Sequence, residues 1–220
     1  MGRKRALLDV SRFLLIAVKK CGAEASYLPL EGDDPQDLIG LAETRKKGKV
    51  PVKPEQLFGL IDSLYDKPGL RLAVTLFGLL GLRPTELKAM RVEDGKLKVG
   101  NVKRNRATAK APKPDRIAYP LEPPELLGGA GQALAQISSG LVKLPNGILN
   151  APDFKSCGHT FLQYLDCHPY WAALMKANPG MSPYSLRHAY AYRGAFAGIP
   201  LRQLAASMGH EVRTNMKKYG

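Results

Sequence analysis

Little in this sequence suits a membrane, an oxidising compartment or a resident metal. Its longest apolar runs, Phe13 to Val18 and Leu76 to Leu82, fall far short of the roughly 20 residues of a bilayer-spanning helix. The basic start Met1-Gly-Arg-Lys-Arg5 imitates the head of a signal peptide. However, Arg12 interrupts the apolar stretch, Lys19-Lys20 closes it, and no small-residue cleavage site follows. The segment reads as an amphipathic helix of a cytoplasmic protein. Cysteine is scarce: Cys21, Cys157 and Cys167 are an odd number at scattered spacing, which suits reduced thiols rather than a disulfide framework. Cys157, His159, Cys167 and His168 lie near one another, but their spacing matches no common zinc pattern, and adjacent Cys167 and His168 would struggle to share one tetrahedral ion. The sequence has no Walker loop, no Asp-rich motif and no carboxylate cluster, so neither metal nor other cofactor is expected.

Acidic residues are also few, 19 against 33 Lys and Arg, for a net charge of +14. Such a balance favours a polyanionic partner. The excess is concentrated. Residues 96–116 hold eight basic residues against Asp115, and residues 181–220 hold six against Glu211, so two segments carry 12 of the 14 excess charges. A solvated basic face would not need such clustering. Aromatic residues make up only 7% and are not interleaved with the basic ones as in RNA-stacking platforms, which leaves an unrelated RNA-binding protein as the weaker reading.

Along the chain, Leu7, Leu8, Val10, Phe13, Leu14, Ala17 and Val18 recur at helical spacing and predict a helix over residues 6–21. Residues 30–54 have linker chemistry, with Gly32, Pro35, the run Arg45-Lys-Lys-Gly-Lys49, Pro51 and Pro54. A boundary near residue 48 divides the chain into an N-terminal helix and linker, 1–48, and a larger domain, 49–220. In the latter, helices are predicted from Pro54 to Tyr65, over Leu70–Leu80 (apolar almost all round, hence in the core) and over Pro84–Met90. Residues 96–102 and 116–121 alternate like strands, joined by a basic, turn-rich tract. Further helices are predicted over 132–138, over 160–177 with a break at Pro169, from Ser182-Pro183 to Phe196, from Pro200 to Gly209, and over 214–219. The fold class is mainly α with a small antiparallel β-sheet.

Three motifs carry the chemistry. They are Gly81-Leu-Arg-Pro-Thr-Glu-Leu87, Ser182-Pro-Tyr-Ser-Leu-Arg-His-Ala-Tyr190, and Met208-Gly-His210 followed nine residues later by Tyr219. Their order, and the 23 residues from Arg187 to His210, resemble the three boxes of the tyrosine recombinase or phage integrase family over residues 50–220. The resemblance implies a DNA breaking-rejoining catalytic fold and a set of catalytic residues. These are Arg83, Arg187, His210, the nucleophile Tyr219 and a lysine on a β-hairpin turn, here Lys103, with Lys110 and Lys113 as alternatives because the loop is long. Glu86 and His188 would support the site. Lys98, Arg104, Arg106, Lys110, Lys113, Arg213 and Lys217 would contact DNA.

The residue types make sense in their own right. Arginine forks stay charged and grip phosphate oxygens, a histidine near neutrality manages protons, and a tyrosine oxygen captures the phosphate covalently. No ATP is needed, and arginine and lysine replace metal electrostatics. The resemblance also implies double-stranded DNA as partner, assembly into dimers or tetramers on paired sites, and accessory DNA-bending proteins. Tyr184 stands where the family's second box begins with histidine; a phenol titrating near 10 is a poor proton shuttle, so slower chemistry is expected. Gly220 follows the tyrosine where the family continues into a segment that docks on a neighbouring protomer, and residues 1–48 are short for a DNA-clamping domain. Either the ends are truncated or assembly differs. The alternatives are a catalytically impaired DNA-binding module of the same fold and a type IB topoisomerase-like enzyme; the latter uses a similar residue set but spells its boxes differently.

Overall fold

In this computed structural model the described residues are 3–28, 50–102 and 114–212. They fall into two units, Met1–Lys47 and Gly48–Gly220. The first contains helix α1, Arg3–Cys21, and a 3-10 turn over Ala25–Tyr27. Lys19 and Lys20 stand in the last turn of α1, where cations complement the helix dipole. Among the described residues no helix is long and apolar enough to cross a membrane.

The second unit is built around a buried helix. Helix α2, Pro54–Asp62, starts at a proline placed in its first turn, with the Gln56 side chain accepting from Lys53 N–H at 3.0 Å. Helix α3, Pro68–Leu80, is buried nearly all round, as its unbroken apolar sequence requires. Its one hydroxyl, Thr75, donates to Arg71 O at 2.9 Å and so is satisfied in the interior. Phe77 meets Phe161 edge-on with ring centroids 5.4 Å apart. The helix stops at Gly81, in the left-handed conformation at φ 61°. A Cβ there would lie 2.6 Å from the Tyr190 ring, so glycine is needed both for the backbone and for space.

The helix expected over Pro84–Met90 is absent. Pro84–Glu86 is a single 3-10 turn, and Met90–Glu93 is strand β1. The Glu86 side chain folds back onto the Arg83 amide and closes the turn. Asp94 (φ 50°) and Gly95 (φ 68°) then make a two-residue hairpin to β2, Lys96–Val99. Both residues have the positive φ that a type I′ turn demands, and Asp-Gly is a favoured pair for it. Strand β3, Arg116–Ala118, completes a three-stranded antiparallel sheet in the order β1-β2-β3. Its register pairs Arg91 with Lys98 and Lys98 with Ile117.

Among the described residues six helices follow: α4 (Gly129–Ser139), α5 (Asn146–Leu149), α6 (Phe154–Asp166), α7 (Pro169–Ala177), α8 (Tyr184–Phe196) and α9 (Leu201–Ser207). Asp153 caps α6, its carboxylate accepting from Ser156 N–H at 2.7 Å. Helix α8 departs from expectation at its start. Pro183 is the capping residue, and the Ser185 hydroxyl accepts from Ser182 N–H at 2.9 Å, the reverse of Ser182 capping the helix. Helix α6 packs on the Pro84–Glu86 turn, where a Cβ on Gly158 would lie 2.8 Å from Thr85 Cγ2. A second small core of Tyr190, Ala191, Leu204 and Met208 joins α8 to α9. The helix predicted over 214–219 lies outside the described residues.

Candidate active site

Three arginines from distant segments converge on one buried carboxylate, Glu86, which is 2% exposed. Arg83 donates through its backbone N–H to Oε2 at 2.7 Å and through Nη1 to Oε1 at 2.5 Å. The acid three residues after the arginine is the spacing of a capping box, and it orients both side chains at once. From β3, Arg116 Nη2 reaches Oε2 at 2.7 Å. Arg187, from the middle of α8, places Nη1 3.9 Å from the same oxygen.

The same arginines also hold the end of α9. Three successive carbonyls each accept from one of them: Ser207 O from Arg116 Nη1 at 2.5 Å, Met208 O from Arg187 Nη2, and Gly209 O from Arg83 Nη2 at 3.0 Å. The last carbonyls of a helix lack intrahelical partners and carry the negative end of its dipole, so cations belong there. Gly209, at φ 61°, closes the helix in a Schellman turn, with Gly209 N–H on Ala206 O at 3.0 Å and His210 N–H on Ala205 O at 2.8 Å. A Cβ on Gly209 would lie 2.7 Å from Arg116 Nε and 3.4 Å from Arg83 Nη1; its absence lets both side chains close over the turn. The next residue is His210, with Nε2 3.2 Å from Arg187 Nη2.

Burial alone would raise the Glu86 carboxyl pKa, but the charges of Arg116, Arg83 and Arg187, with the Arg83 amide, outweigh it and hold it below its ordinary value. Glu86 is therefore ionised near neutrality. Burial lowers the Arg116 pKa, partly offset by Glu86. Three guanidiniums against one carboxylate leave a site of net positive charge, suited to an anion with a planar array of oxygens. Arg83 keeps the most open side chain, 23% exposed, against 12% for Arg116 and 2% for Arg187. A neutral network backs the turn. Tyr190 Oη donates to Tyr119 O at 2.9 Å and lies 2.7 Å from Ser207 Oγ, which accepts from Tyr119 N–H at 3.0 Å.

Of the residues singled out in the sequence, Arg83, Glu86, Arg187 and His210 are brought together. Tyr184 begins α8, exposed, its ring edge-on to Phe77 at 6.2 Å; it makes none of the hydrogen bonds that knit the arginines. His188 is half-buried beside Arg187. Lys98 is in a surface cluster, paired with Glu93, which also binds Arg91. Tyr219, Lys103, Arg104, Arg106, Lys110, Lys113, Arg213 and Lys217 lie outside the described residues. Of the cysteine and histidine candidates, Cys157 is buried and donates its thiol to Pro84 O at 3.6 Å, Cys167 is exposed, His159 is exposed and His168 is buried. Among the described residues no three His, Cys, Asp or Glu side chains gather as metal ligands. Sequence reasoning missed Arg116. It stood only as one charge of a basic segment, and its partners are 30 and 91 residues away.

No family model matches the sequence, and no curated protein matches it significantly. Solved structures do. The chain is similar to XerA recombinase, with a TM-score of 0.50 at 15% identity, over 97% of this chain and 77% of that one. It is equally similar to the integrase of transposon Tn1549, solved in complex with transposon right end DNA, with a TM-score of 0.50 at 18% identity over 97% and 80%. The fold is that of a tyrosine recombinase-like catalytic domain, mainly α with a small antiparallel sheet.

Proposed function

We propose that the protein is a site-specific DNA recombinase or integrase. It would cleave and rejoin strands through a covalent 3′-phosphotyrosyl intermediate on Tyr219, without metal or ATP. The observation that carries this reading is the convergence of Arg83, Arg187 and His210 at the end of α9. Arg83, the most open of the guanidiniums, meets the scissile phosphate, and the buried charge of Arg187 stabilises the negative charge that develops on the phosphorane-like transition state. His210 hydrogen-bonds the phosphate or handles the tyrosine proton. The Tyr219 oxygen forms a bond to phosphorus as the bond to the 5′-oxygen breaks, and that oxygen leaves with a proton from Lys103, or from Lys110 or Lys113. One phosphodiester replaces another, so a 5′-hydroxyl of a second strand reverses the step with no energy supplied. Tyr184, a phenol where the family's box has an imidazole, slows the chemistry without preventing it.

Duplex DNA is the partner, supported by the DNA-bound state of the transposon integrase and by the two basic segments. The rest of the proposal is pairing of protomers into dimers or tetramers on DNA, accessory DNA-bending proteins and a cytoplasmic location. The test is a nicked suicide duplex, its sequence selected from a random library or from DNA flanking the gene, run on denaturing gels. A protein–DNA adduct absent in Tyr219→Phe and strongly reduced in Arg187→Ala is expected. Tight binding without any adduct would instead favour a DNA-binding module that has lost catalysis.

A further inference from the structure

Arg116 is the cation at this site that no motif assigns; like Arg83 and Arg187 it has both terminal nitrogens on protein acceptors, but it alone of the three comes from the sheet. Both terminal nitrogens are committed to the protein, one to Glu86 Oε2 at 2.7 Å and the other to Ser207 O at 2.5 Å. Its Nε and Cδ cover Gly209, which has no side chain to exclude them. One planar fork therefore spans the acid that orients Arg83 and the turn that presents His210, and strand β3, paired with β2, carries it. Lysine, whose donors all sit on one nitrogen at the end of a flexible stem, does not present the same planar pair of donor nitrogens.

We propose that Arg116 is a positioning residue for DNA cleavage: it locks the Ser207–His210 turn to Glu86 and so sets His210 and Arg83 in their working geometry. The inference rests on the recombinase reading given above. Arg83, the most exposed of the three, turns part of its fork toward substrate, and Arg116 then holds Glu86 and the turn in place. A displacement of about 1 Å at reacting groups costs on the order of 100-fold in rate. The loss should therefore appear in the cleavage step and leave affinity for DNA nearly unchanged.

The experiment uses the full chain, Arg116→Met and Arg116→Lys, with two readouts. The first is the rate of adduct formation on saturating suicide duplex beside the affinity for the same duplex. The second is the imidazole NMR signal of His210, identified by its loss in His210→Gln, with exposed His159 as the internal reference. In Arg116→Met the adduct rate falls about 100-fold at nearly constant affinity, and the His210 signal moves while that of His159 does not. Arg116→Lys keeps a buried charge beside Glu86, so it guards against a folding defect. It should show the same His210 displacement and most of the rate loss. Full recovery by lysine would mean that charge alone matters, and an unmoved His210 in both variants would mean that Arg116 does not set the turn; either overturns the proposal. If the wild-type protein forms no adduct on a tightly bound site, the recombinase reading fails, and the His210 readout still decides whether Arg116 positions the turn.

Discussion

Glu86 and Glu93 are two carboxylates in neighbouring segments, each gripped by two or more cations, yet they belong to different kinds of interaction. The Glu86 side chain is 3% exposed and is neutralised by arginines from three parts of the chain. Glu93 is 38% exposed and bound by Arg91 and Lys98, local partners on the same hairpin, with Asp115 taking the rest of the Arg91 fork. Bond length does not separate the buried cluster from the surface one: Arg116 to Glu86 is 2.7 Å, and Arg91 to Asp115, beside Glu93, is 2.6 Å. Burial does. An exposed pair trades water for a partner with little net gain and is screened by salt. A buried cluster left without its counter-charge keeps a desolvated ion that nothing offsets.

That contrast predicts a graded series of effects. Glu86→Gln leaves three guanidiniums around a neutral amide and is expected to cost about 3–5 kcal/mol, measured by urea unfolding at neutral pH. A loss no greater than that of a surface substitution would break the distinction. Next is the pH dependence of that gap. The folded Glu86 pKa lies below its ordinary value of 4.5, so its contribution is present in full above that pH and is lost as the pH falls below it through the folded value. The stability difference between wild type and Glu86→Gln should therefore narrow on acidification; a difference that stays constant would mean the carboxylate is not the stabilising species.

A neutral bond in the same interior sharpens the comparison. Tyr190→Phe removes the hydroxyl that joins Tyr119 O and Ser207 Oγ at a cost of about 1 kcal/mol, read as a shift in the thermal midpoint. The smallest effect is expected of Glu93→Gln, whose melting curve should overlay that of wild type and remain so at high salt. A destabilisation matching that of Tyr190→Phe would show that the surface cluster acts as a unit.

Much of the frame was legible along the chain. The apolar run of α3, the proline starts of α2 and α7 and the glycine stops at Gly81 and Gly209 are local features with local causes. Glu86 was singled out as a support of the site, and three residues of turn suffice to bring it onto Arg83. The predicted helix over 84–90 failed for an equally local reason, since Asp94-Gly95 marks a hairpin whose first strand must begin before it. Ser182 was expected to start α8 as its cap, and the packed structure instead makes the Ser185 hydroxyl the acceptor of Ser182 N–H.

By itself the sequence determined the mainly helical class with a small sheet, the glycine stops at Gly81 and Gly209, how the charge clusters, and the motif spacings that lead to the recombinase reading. Tertiary structure alone decided that Arg116 joins the site, that Arg187 is buried, and that Ser207, Met208 and Gly209 each hold one arginine. The physical reason is that the strength of a charge pair depends on distance and on exclusion of water. Neither quantity exists for residues 30 or 91 positions apart until the chain has folded.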